Sequence, residues 1–382
     1  MKKYILLAII AKFFILIWPI GALADTSLHG RWLDYYEEGD STRISRGVSV
    51  VTQKPNERAG GYIKTGLWTW NMKDSAVSFR VKVSDWNKAS VVTLVVGNGL
   101  KFSNAATFDI RRRFVGSPND EWVEAVIPPS AWSVDGDIDW ENIDSVLFSV
   151  MDTGESRITA QIANIKVVPM QKQAGRVTIT VDDGLIDTMV MQKLLADRGV
   201  AGTAFVDVAK IDQPGYITTA DMNALVASGW DIGGHNIGRL SKMTAAERAD
   251  HVDATAKYLA AISPSGSKLY ALPNGERNTD VNADLSTKFT HIFNIDGMSN
   301  DAAYLIPTNV NRHSIDKHTS LALAKKWVDD AKTNGEWVII NFHTFSDTWV
   351  NEEDWSVADV TALLDYIKEL NVAVQPISAV LK

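Results

Sequence analysis

Two adjacent carboxylates follow a short stretch of purely β-branched residues. Residues 177–181 are Val, Thr, Ile, Thr and Val, a composition that predicts a buried strand, and Asp182, Asp183 and Gly184 come directly after it. Two acids at the end of a buried strand are costly unless a cation or water reaches them. The competing interpretation is a plain strand-to-helix turn, in which Asp-Gly is ordinary turn chemistry and an acid caps the next helix.

Two histidines occupy the same kind of position elsewhere in the chain. His235 follows the short predicted strand 231–234, and His343 follows the strongly apolar stretch 337–342. In a parallel sheet surrounded by helices, functional groups collect at the carboxyl ends of the strands. The two acids and the two histidines are therefore expected at one end of one sheet, which weakens the plain-turn interpretation.

The elements that position these residues alternate between strand and helix over residues 176–382. About seven stretches of strand character are separated by helical ones, and capping boxes begin two of the helices, at 244–247 and 356–359. Alternation of this kind is typical of a parallel sheet covered by helices. We predict that residues 176–382 form an α/β domain, a distorted (β/α)7 barrel.

Residues 25–169 show a different pattern. Short apolar–polar alternations, of which 77–83 is the most regular, are separated by turn residues such as those at 97–99 and 135–137. Many short strands without a helical period predict an all-β sandwich of jelly-roll type. Residues 170–175 are short and polar, and they are the predicted linker between two domains.

Trp68 and Trp70 lie in this first half, two positions apart. On a strand they would face the same side of the sheet, where a pair of indoles can stack on the apolar faces of sugar rings. The alternative is that they fill the core of the sandwich, since tryptophan is usually largely buried. Both interpretations stay open from the sequence.

The N-terminus and the composition bear on compartment and partners. Residues 1–24 have a basic start, an apolar stretch and a small-residue cleavage site, which is the pattern of a signal peptide; an uncleaved membrane anchor is the alternative. The absence of cysteine excludes disulfides, thiolate ligands and a cysteine nucleophile. A net charge of −8 disfavours nucleic acid and anionic membranes as partners. We expect an exported protein, periplasmic or secreted, without membrane contact after cleavage.

The strand ends carry an ordered set of motifs: Thr-Val-Asp-Asp-Gly at 180–184, Asp-Ile-Gly-Gly-His at 231–235, Leu-Pro-Asn-Gly at 272–275 and Ile-Ile-Asn-Phe-His at 339–343. With these motifs in this order, residues 175–382 resemble the polysaccharide deacetylase family, the chitooligosaccharide, chitin and peptidoglycan deacetylases of carbohydrate esterase family 4. The first half resembles, more loosely, the carbohydrate-binding-like sandwich modules attached to extracellular sugar enzymes.

The resemblance implies a role for each matching residue. Asp182 would be the general base, Asp183 and His235 would be metal ligands, and His343 would be the general acid for the departing amine. The implied cofactor is a divalent metal ion, zinc by preference. Such an ion lowers the pKa of bound water and polarises the acetyl carbonyl.

Two positions depart from the family pattern. Arg239 stands where the family has the second histidine of a His-x-x-x-His segment, and Ala271 stands where it has an arginine. Arginine cannot ligate a metal because it is always protonated. Three accounts stay open. Arg239 forms a salt bridge with the acid pair, or a weaker metal site survives on Asp183 and His235 with water or another side chain, or the site works without metal.

The expected function is removal of acetyl groups from a polysaccharide or oligosaccharide by base-activated water, and the acetyl groups are expected to be on nitrogen. One alternative is a catalytically inactive carbohydrate-binding protein with a degenerate metal site, and another is a metal-independent amidase. The predicted substrate-binding residues are Arg239, Pro273, Asn274, Gly275, Trp68 and Trp70.

Overall fold

The computed structural model describes residues 31–36, 39–53, 55–64, 69–98, 102–170, 173–302, 305–348 and 351–382. The predicted signal peptide at 1–24 and Trp68 lie outside the described residues. Within the ranges given, no helix combines the length and the apolar character needed to cross a membrane.

The first half is built from antiparallel strands. They are β1 (Leu33–Asp34), β2 (Gly39–Ile44), β3 (Gly47–Thr52), β4 (Arg58–Lys64), β5 (Ser75–Val83), β6 (Ala89–Asn98), β7 (Asn104–Asp109), β8 (Val123–Ile127), β9 (Ser133–Asp135), β10 (Ser145–Asp152) and β11 (Thr159–Pro169). One sheet has the order β1-β4-β10-β6-β7-β9 and the other the order β2-β3-β11-β5-β8. Apolar side chains from both sheets, among them Phe79, Phe108 and Ile162, share one buried core. This arrangement agrees with the predicted β-sandwich.

One short helix, α1 (Ile110–Phe114), follows β7 in this half. The Asp109 side chain begins it by accepting a hydrogen bond from the backbone nitrogen of Arg112, at 2.8 Å. The expectation that this half has no helix is therefore wrong at this point. Five residues are too few to show a helical period in the sequence.

The second half alternates between strands and helices. The elements are β12 (Arg176–Val181), α2 (Thr188–Ala196), β13 (Thr203–Val206), α3 (Thr219–Ala227), β14 (Asp231–Gly234), α4 (Ala245–Ile262), β15 (Leu269–Ala271), α5 (Thr279–Ser286), β16 (His291–Phe293), β17 (His313–Ser314), α6 (Leu321–Asn334), β18 (Trp337–Phe342), β19 (Thr344–Phe345), β20 (Asp354–Trp355), α7 (Val357–Glu369), β21 (Ala373–Val374) and α8 (Ile377–Val380). The main sheet is parallel, in the order β16-β15-β14-β13-β12-β18-β17, with β21 beside β12. The predicted parallel sheet is confirmed.

The parallel sheet comes close to closing on itself. Its edge strands are β16 and β17, and Phe293 at the end of β16 forms a parallel bridge with Val310, three residues before β17 begins. Both predicted capping boxes begin helices. Thr244 and Glu247 cap α4 reciprocally, and Ser356 Oγ accepts from the backbone nitrogen of Asp359 at 3.0 Å to begin α7.

The two halves contact each other through buried polar groups. Arg277 of the second half donates from Nε to the backbone carbonyl of Val115 in the first half, at 2.9 Å. Its Nη2 also pairs with Asp296 Oδ2 at 2.7 Å. Elsewhere in the interface, Ser130 Oγ donates to the buried carboxylate of Glu336. Hydrogen-bonded charges of this kind fix how one half lies on the other.

Candidate active site

Three strand ends meet around one pocket of about 220 Å³. Asp182 and Asp183 follow β12, His235 follows β14, and His343 follows β18, and all four side chains line this pocket. Backbone hydrogen bonds continue past the strands, since Asp182 N donates to Phe342 O at 3.0 Å and His235 N to Val206 O at 2.9 Å. The sheet itself therefore brings together the four residues that the sequence singled out.

The carboxylate of Asp182 is buried against an arginine that the motifs did not predict. Arg312 Nη1 donates to Oδ1 at 2.7 Å and Nη2 to Oδ2 at 2.8 Å, which is a bidentate pair. Asp182 is 2% exposed and Arg312 is 0% exposed. Burial opposes ionisation, but the Arg312 guanidinium outweighs it, together with His235, and holds the pKa of Asp182 below its usual range. Asp182 is an ionised carboxylate with a fixed orientation.

Asn341 on β18 joins this pair from the neighbouring strand. β12 and β18 are paired so that Thr180 lies beside Asn341, and the Thr180 hydroxyl donates to Asn341 Oδ1 at 2.9 Å. Arg312 Nη1 donates to the same oxygen at 3.0 Å, while Asn341 Nδ2 donates to Asp182 Oδ2 at 3.2 Å. Asn341 is fully buried, and its amide fixes the positions of Asp182 and Arg312 relative to each other.

Asp183 lies in a backbone conformation that few residues adopt. Its φ is 68°, in the left-handed region, and Gly184 continues that turn with a φ of 73°. The turn places the carboxylate of Asp183 so that Oδ1 is 3.2 Å from His235 Nε2. The other nitrogen of His235, Nδ1, is 2.8 Å from the carbonyl of Ala271. Burial lowers the pKa of His235, yet the carboxylates of Asp182 and Asp183 outweigh burial and raise the pKa above its usual range.

His343 lies across the pocket with an acid that the motifs missed. Asp183, His343 and Glu353 each place one potential ligand atom within 4.8 Å of the other two. Glu353 belongs to the segment after β18, where β19 and β20 pair in parallel. This mixed set of two carboxylates and an imidazole has the donor chemistry that zinc and similar divalent ions accept. No sequence signal pointed to Glu353, which is separated from every motif.

Arg239 does not reach the acid pair. Its Nε is 3.5 Å from Glu276 Oε2 and its side chain is 58% exposed, while the other Glu276 oxygen accepts from Ser241 Oγ at 2.6 Å. The account in which Arg239 forms a salt bridge with Asp182 and Asp183 is therefore wrong. Arg312 supplies the cation that neutralises Asp182.

The predicted Pro-Asn-Gly motif lies beside the pocket. Pro273 and Asn274 line it, and Asn274 has a left-handed φ of 53°. Gly275 has a φ of 62° and packs so closely on Ile295 that an added Cβ would lie 2.6 Å from its side chain. Gly275 therefore allows the turn that places Pro273 and Asn274 at the pocket.

The prediction that Trp70 stacks on a sugar ring is wrong. Trp70 is 6% exposed and belongs to the core of the first half, where its backbone pairs with Ile143. A buried indole cannot stack on a sugar ring, so Trp70 is a core residue. Trp68 lies outside the described residues.

A family model described as "Polysaccharide deacetylase" matches residues 170–291. The matched range contains Asp182, Asp183 and His235, whereas Arg312 and His343 lie beyond it. This match confirms the predicted resemblance for that part of the chain and indicates a hydrolase that acts on amide or acetyl linkages. A search of the curated proteins found no match.

Several solved structures are similar to part of the chain. One is a chitin deacetylase from the fungal pathogen Colletotrichum lindemuthianum, with 18% identity and a TM-score of 0.40, covering 56% of this chain and 89% of that one. Another is a family 4 acetyl xylan esterase from Clostridium thermocellum in complex with a cobalt ion, with 15% identity, a TM-score of 0.36 and coverages of 53% and 89%. A third is a CE4 family pseudoenzyme from Bacillus anthracis, with 13% identity, a TM-score of 0.37 and coverages of 56% and 67%.

Proposed function

We propose that this protein is an exported hydrolase that removes acetyl groups from a polysaccharide or oligosaccharide, with N-acetyl groups as the expected substrate. The observation that carries the proposal is the buried, ionised and rigidly held carboxylate of Asp182 in the pocket of the matched hydrolase domain. A group of this kind suits the removal of a proton from an attacking water.

The hydrogen bonds of Asp182 identify the oxygen that would take the proton. Among the described residues, Oδ2 accepts from Arg312 Nη2 and from Asn341 Nδ2, whereas Oδ1 accepts only from Arg312 Nη1. Oδ1 therefore keeps a free acceptor position. Water attacks the acetyl carbonyl carbon as Oδ1 takes its proton, the carbon–nitrogen bond breaks, and the amine leaves with a proton. The family resemblance assigns delivery of that last proton to His343.

The residues present fit a divalent metal ion. The family resemblance assigns the ion to Asp183, which offers a carboxylate oxygen, and to His235, whose Nδ1 faces a backbone carbonyl and whose Nε2 faces Asp183. When bound, such an ion supplies polarisation of the acetyl carbonyl and a lower pKa for the attacking water. Zinc is the preferred ion for this donor set.

Apolar residues on the pocket wall suit an acetyl methyl group. Ile237, Leu272 and Ile295 all line the pocket beside the charged side chains. A small apolar wall next to polar groups fixes the orientation of a ligand with one methyl and one carbonyl end. The proposed partner is accordingly an acetylated carbohydrate, and the first half of the chain is proposed to contact the rest of the polymer without the use of Trp70.

A second candidate is a carbohydrate-binding protein without turnover. The position of Arg239 favours it, because the family's third ligand is absent and the arginine turns away to Glu276. This candidate predicts that acetylated oligosaccharides bind and that no acetate is released.

Export rests on the pattern of residues 1–24 and is tested by determining the N-terminus of the protein recovered from outside the cytoplasm. The proposal predicts a first residue at or near Asp25. A protein that stays in the cytoplasm with Met1 intact would contradict export.

The hydrolase is tested by measuring acetate and free amine together. Purified protein is incubated with N-acetylglucosamine oligomers and with O-acetylated xylan, after chelation and after addition of Zn²⁺, Co²⁺ or Mn²⁺. We expect equal amounts of acetate and amine from the N-acetylated substrate. Binding of either oligomer without any acetate, under every metal condition, would support the second candidate instead.

A further inference from the structure

The position of Arg239 leaves open which side chain completes a cation site at Asp183. Asp183, His343 and Glu353 bring their ligand atoms within 4.8 Å of one another, on the side of Asp183 that faces the end of β18. The ligand atoms of one zinc ion, bound at about 2.0–2.2 Å, lie about 3.3–3.6 Å apart. The side chain of Glu353 is 53% exposed, so it can make the shift of about 1 Å that this spacing requires.

The amide of Asn341 lies close to one ring nitrogen of His343. A guanidinium only donates hydrogen bonds, so the Asn341 atom 3.0 Å from Arg312 Nη1 is the oxygen. The amide nitrogen of Asn341 must then face the other way, toward Asp182 Oδ2 at 3.2 Å and His343 Nε2 at 3.4 Å. The amide nitrogen is a donor only, so a hydrogen bond there would need a lone pair on Nε2, the nitrogen that also faces Glu353.

Nε2 of His343 has the position of a metal ligand. It lies 4.0 Å from Glu353 Oε1 and 3.4 Å from the Asn341 amide nitrogen, a contact that is long for a hydrogen bond and competes weakly with an ion. The other ring nitrogen, Nδ1, is buried and has no hydrogen-bond partner among the described residues.

We propose that Asp183, His343 and Glu353 form a divalent cation site, in which Glu353 supplies the ligand that Arg239 cannot. The inference rests on the proposed function for the use of that cation in hydrolysis. His235 stays hydrogen-bonded to Asp183 and orients its carboxylate. His343 is thereby assigned to the cation, and the proton that Asp182 takes from the water is the one returned to the leaving amine.

The test measures metal binding directly, without substrate. Chelator-treated protein is titrated with Co²⁺, whose visible absorption reports the ligands, and with Zn²⁺ in competition. The informative variants are Glu353→Gln and His343→Gln. The matched controls are Glu352→Gln and Arg239→Gln, because Glu352 is the adjacent acid and pairs with Lys317 instead, at 2.5 Å. Circular dichroism and thermal unfolding establish that each variant is folded.

We expect the wild-type protein to bind one equivalent of Co²⁺. Glu353→Gln and His343→Gln should weaken binding at least about tenfold, since even residues behind the ligands contribute that much. Both controls should bind as the wild type does. Wild-type affinity in Glu353→Gln, wild-type affinity in His343→Gln or no binding by the wild-type protein would overturn the inference. Acetate release is assayed separately, so a protein that binds the ion as expected and releases no acetate contradicts the proposed function alone.

Discussion

Asp182 and Arg312 are both almost fully buried, and each is neutralised by the other. The guanidinium contacts both carboxylate oxygens, at 2.7 and 2.8 Å, and also lies over the ring of Phe205, with 5.1 Å from its central carbon to the ring centroid. A buried pair of this kind adds little net stability, but loss of one partner leaves an uncompensated charge in the interior. The pair keeps the carboxylate of Asp182, the proposed base, ionised and fixed in orientation.

Arg312→Met should therefore lower the free energy of unfolding by about 3–5 kcal/mol, because Asp182 is left buried without its cation. The double variant Arg312→Met with Asp182→Leu should recover much of this loss, since no buried charge remains. Urea unfolding of the wild-type protein and both variants measures the difference. A double variant less stable than Arg312→Met alone would contradict this view of the pair.

The sequence predicts some site residues and misses others for a physical reason. Asp182, Asp183, His235 and His343 each end a strand, so alternation of strands and helices is enough to bring them to one edge. Arg312 precedes a strand of only two residues, His313–Ser314, and Glu353 lies in a segment between elements. Such positions have no periodic pattern. The closing of the sheet brings Arg312 near the acids, and the segment after β18 does so for Glu353.

The segment between β18 and α7 is the element that decides where Glu353 lies. The next residue, Asp354, is 1% exposed and accepts hydrogen bonds from the Thr344 hydroxyl and from Asn351 N, the latter at 2.7 Å. Trp355 follows and is buried, with its Nε1 donating to the carbonyl of Thr319 at 2.9 Å. Asp354 therefore ties the segment together internally, and Trp355 anchors it to the loop before α6.

Asp354→Ala should loosen this segment and weaken Co²⁺ binding, although Asp354 is not a ligand in the proposed site. It should also cost about 1.5–3 kcal/mol of unfolding free energy, because the hydrogen bonds from Thr344 and Asn351 to a buried carboxylate are lost. Calorimetric titration and urea unfolding measure the two effects. Asp347→Ala, at an exposed position of the same segment, is the control and should change neither. Unchanged metal affinity in Asp354→Ala would show that the segment does not position Glu353.

At the scale of elements, the sequence predicts strand limits and helix starts but not which side of a strand is buried. β14 and β18 have the predicted limits, and both capping boxes begin helices, because these signals are local. The local pattern does not decide whether Trp70 is a sugar-stacking residue or a core residue. Whether an alternating strand residue faces solvent or the second sheet depends on how the two sheets pack.

At the scale of the whole molecule, the interface between the halves contains a titratable group. Glu336 is 1% exposed, accepts a hydrogen bond from Ser130 of the first half, and has a second carboxylate oxygen without a partner among the described residues. Burial raises the pKa of Glu336 from its ordinary value of 4.5 to about 7, despite the hydrogen bond from Ser130. Between these two values the folded protein holds a proton that the unfolded chain has lost.

Glu336 should therefore reduce stability progressively as the pH rises from about 4.5 through about 7. Glu336→Gln keeps a polar side chain for Ser130 and removes the charge, so it should stabilise the protein at pH 8 and not at pH 4.5. The gain at pH 8 should approach about 3 kcal/mol, at about 1.4 kcal/mol per pKa unit. Urea unfolding at both pH values measures it, with Glu369→Gln at an exposed position as the control. An equal effect of Glu336→Gln at the two pH values would contradict the raised pKa.

In the proposed reaction, Asp182 takes the proton from the water that attacks the acetyl group. The measurement that tests this role is the rate of acetate release from an N-acetylglucosamine oligomer by the wild-type protein and by Asp182→Asn, each shown to be folded at the assay temperature. The substitution keeps the shape of the side chain and removes its basicity. Asp182→Asn should release acetate about 10²–10⁴-fold more slowly than the wild-type protein. Acetate release by Asp182→Asn at the wild-type rate would contradict this role of Asp182.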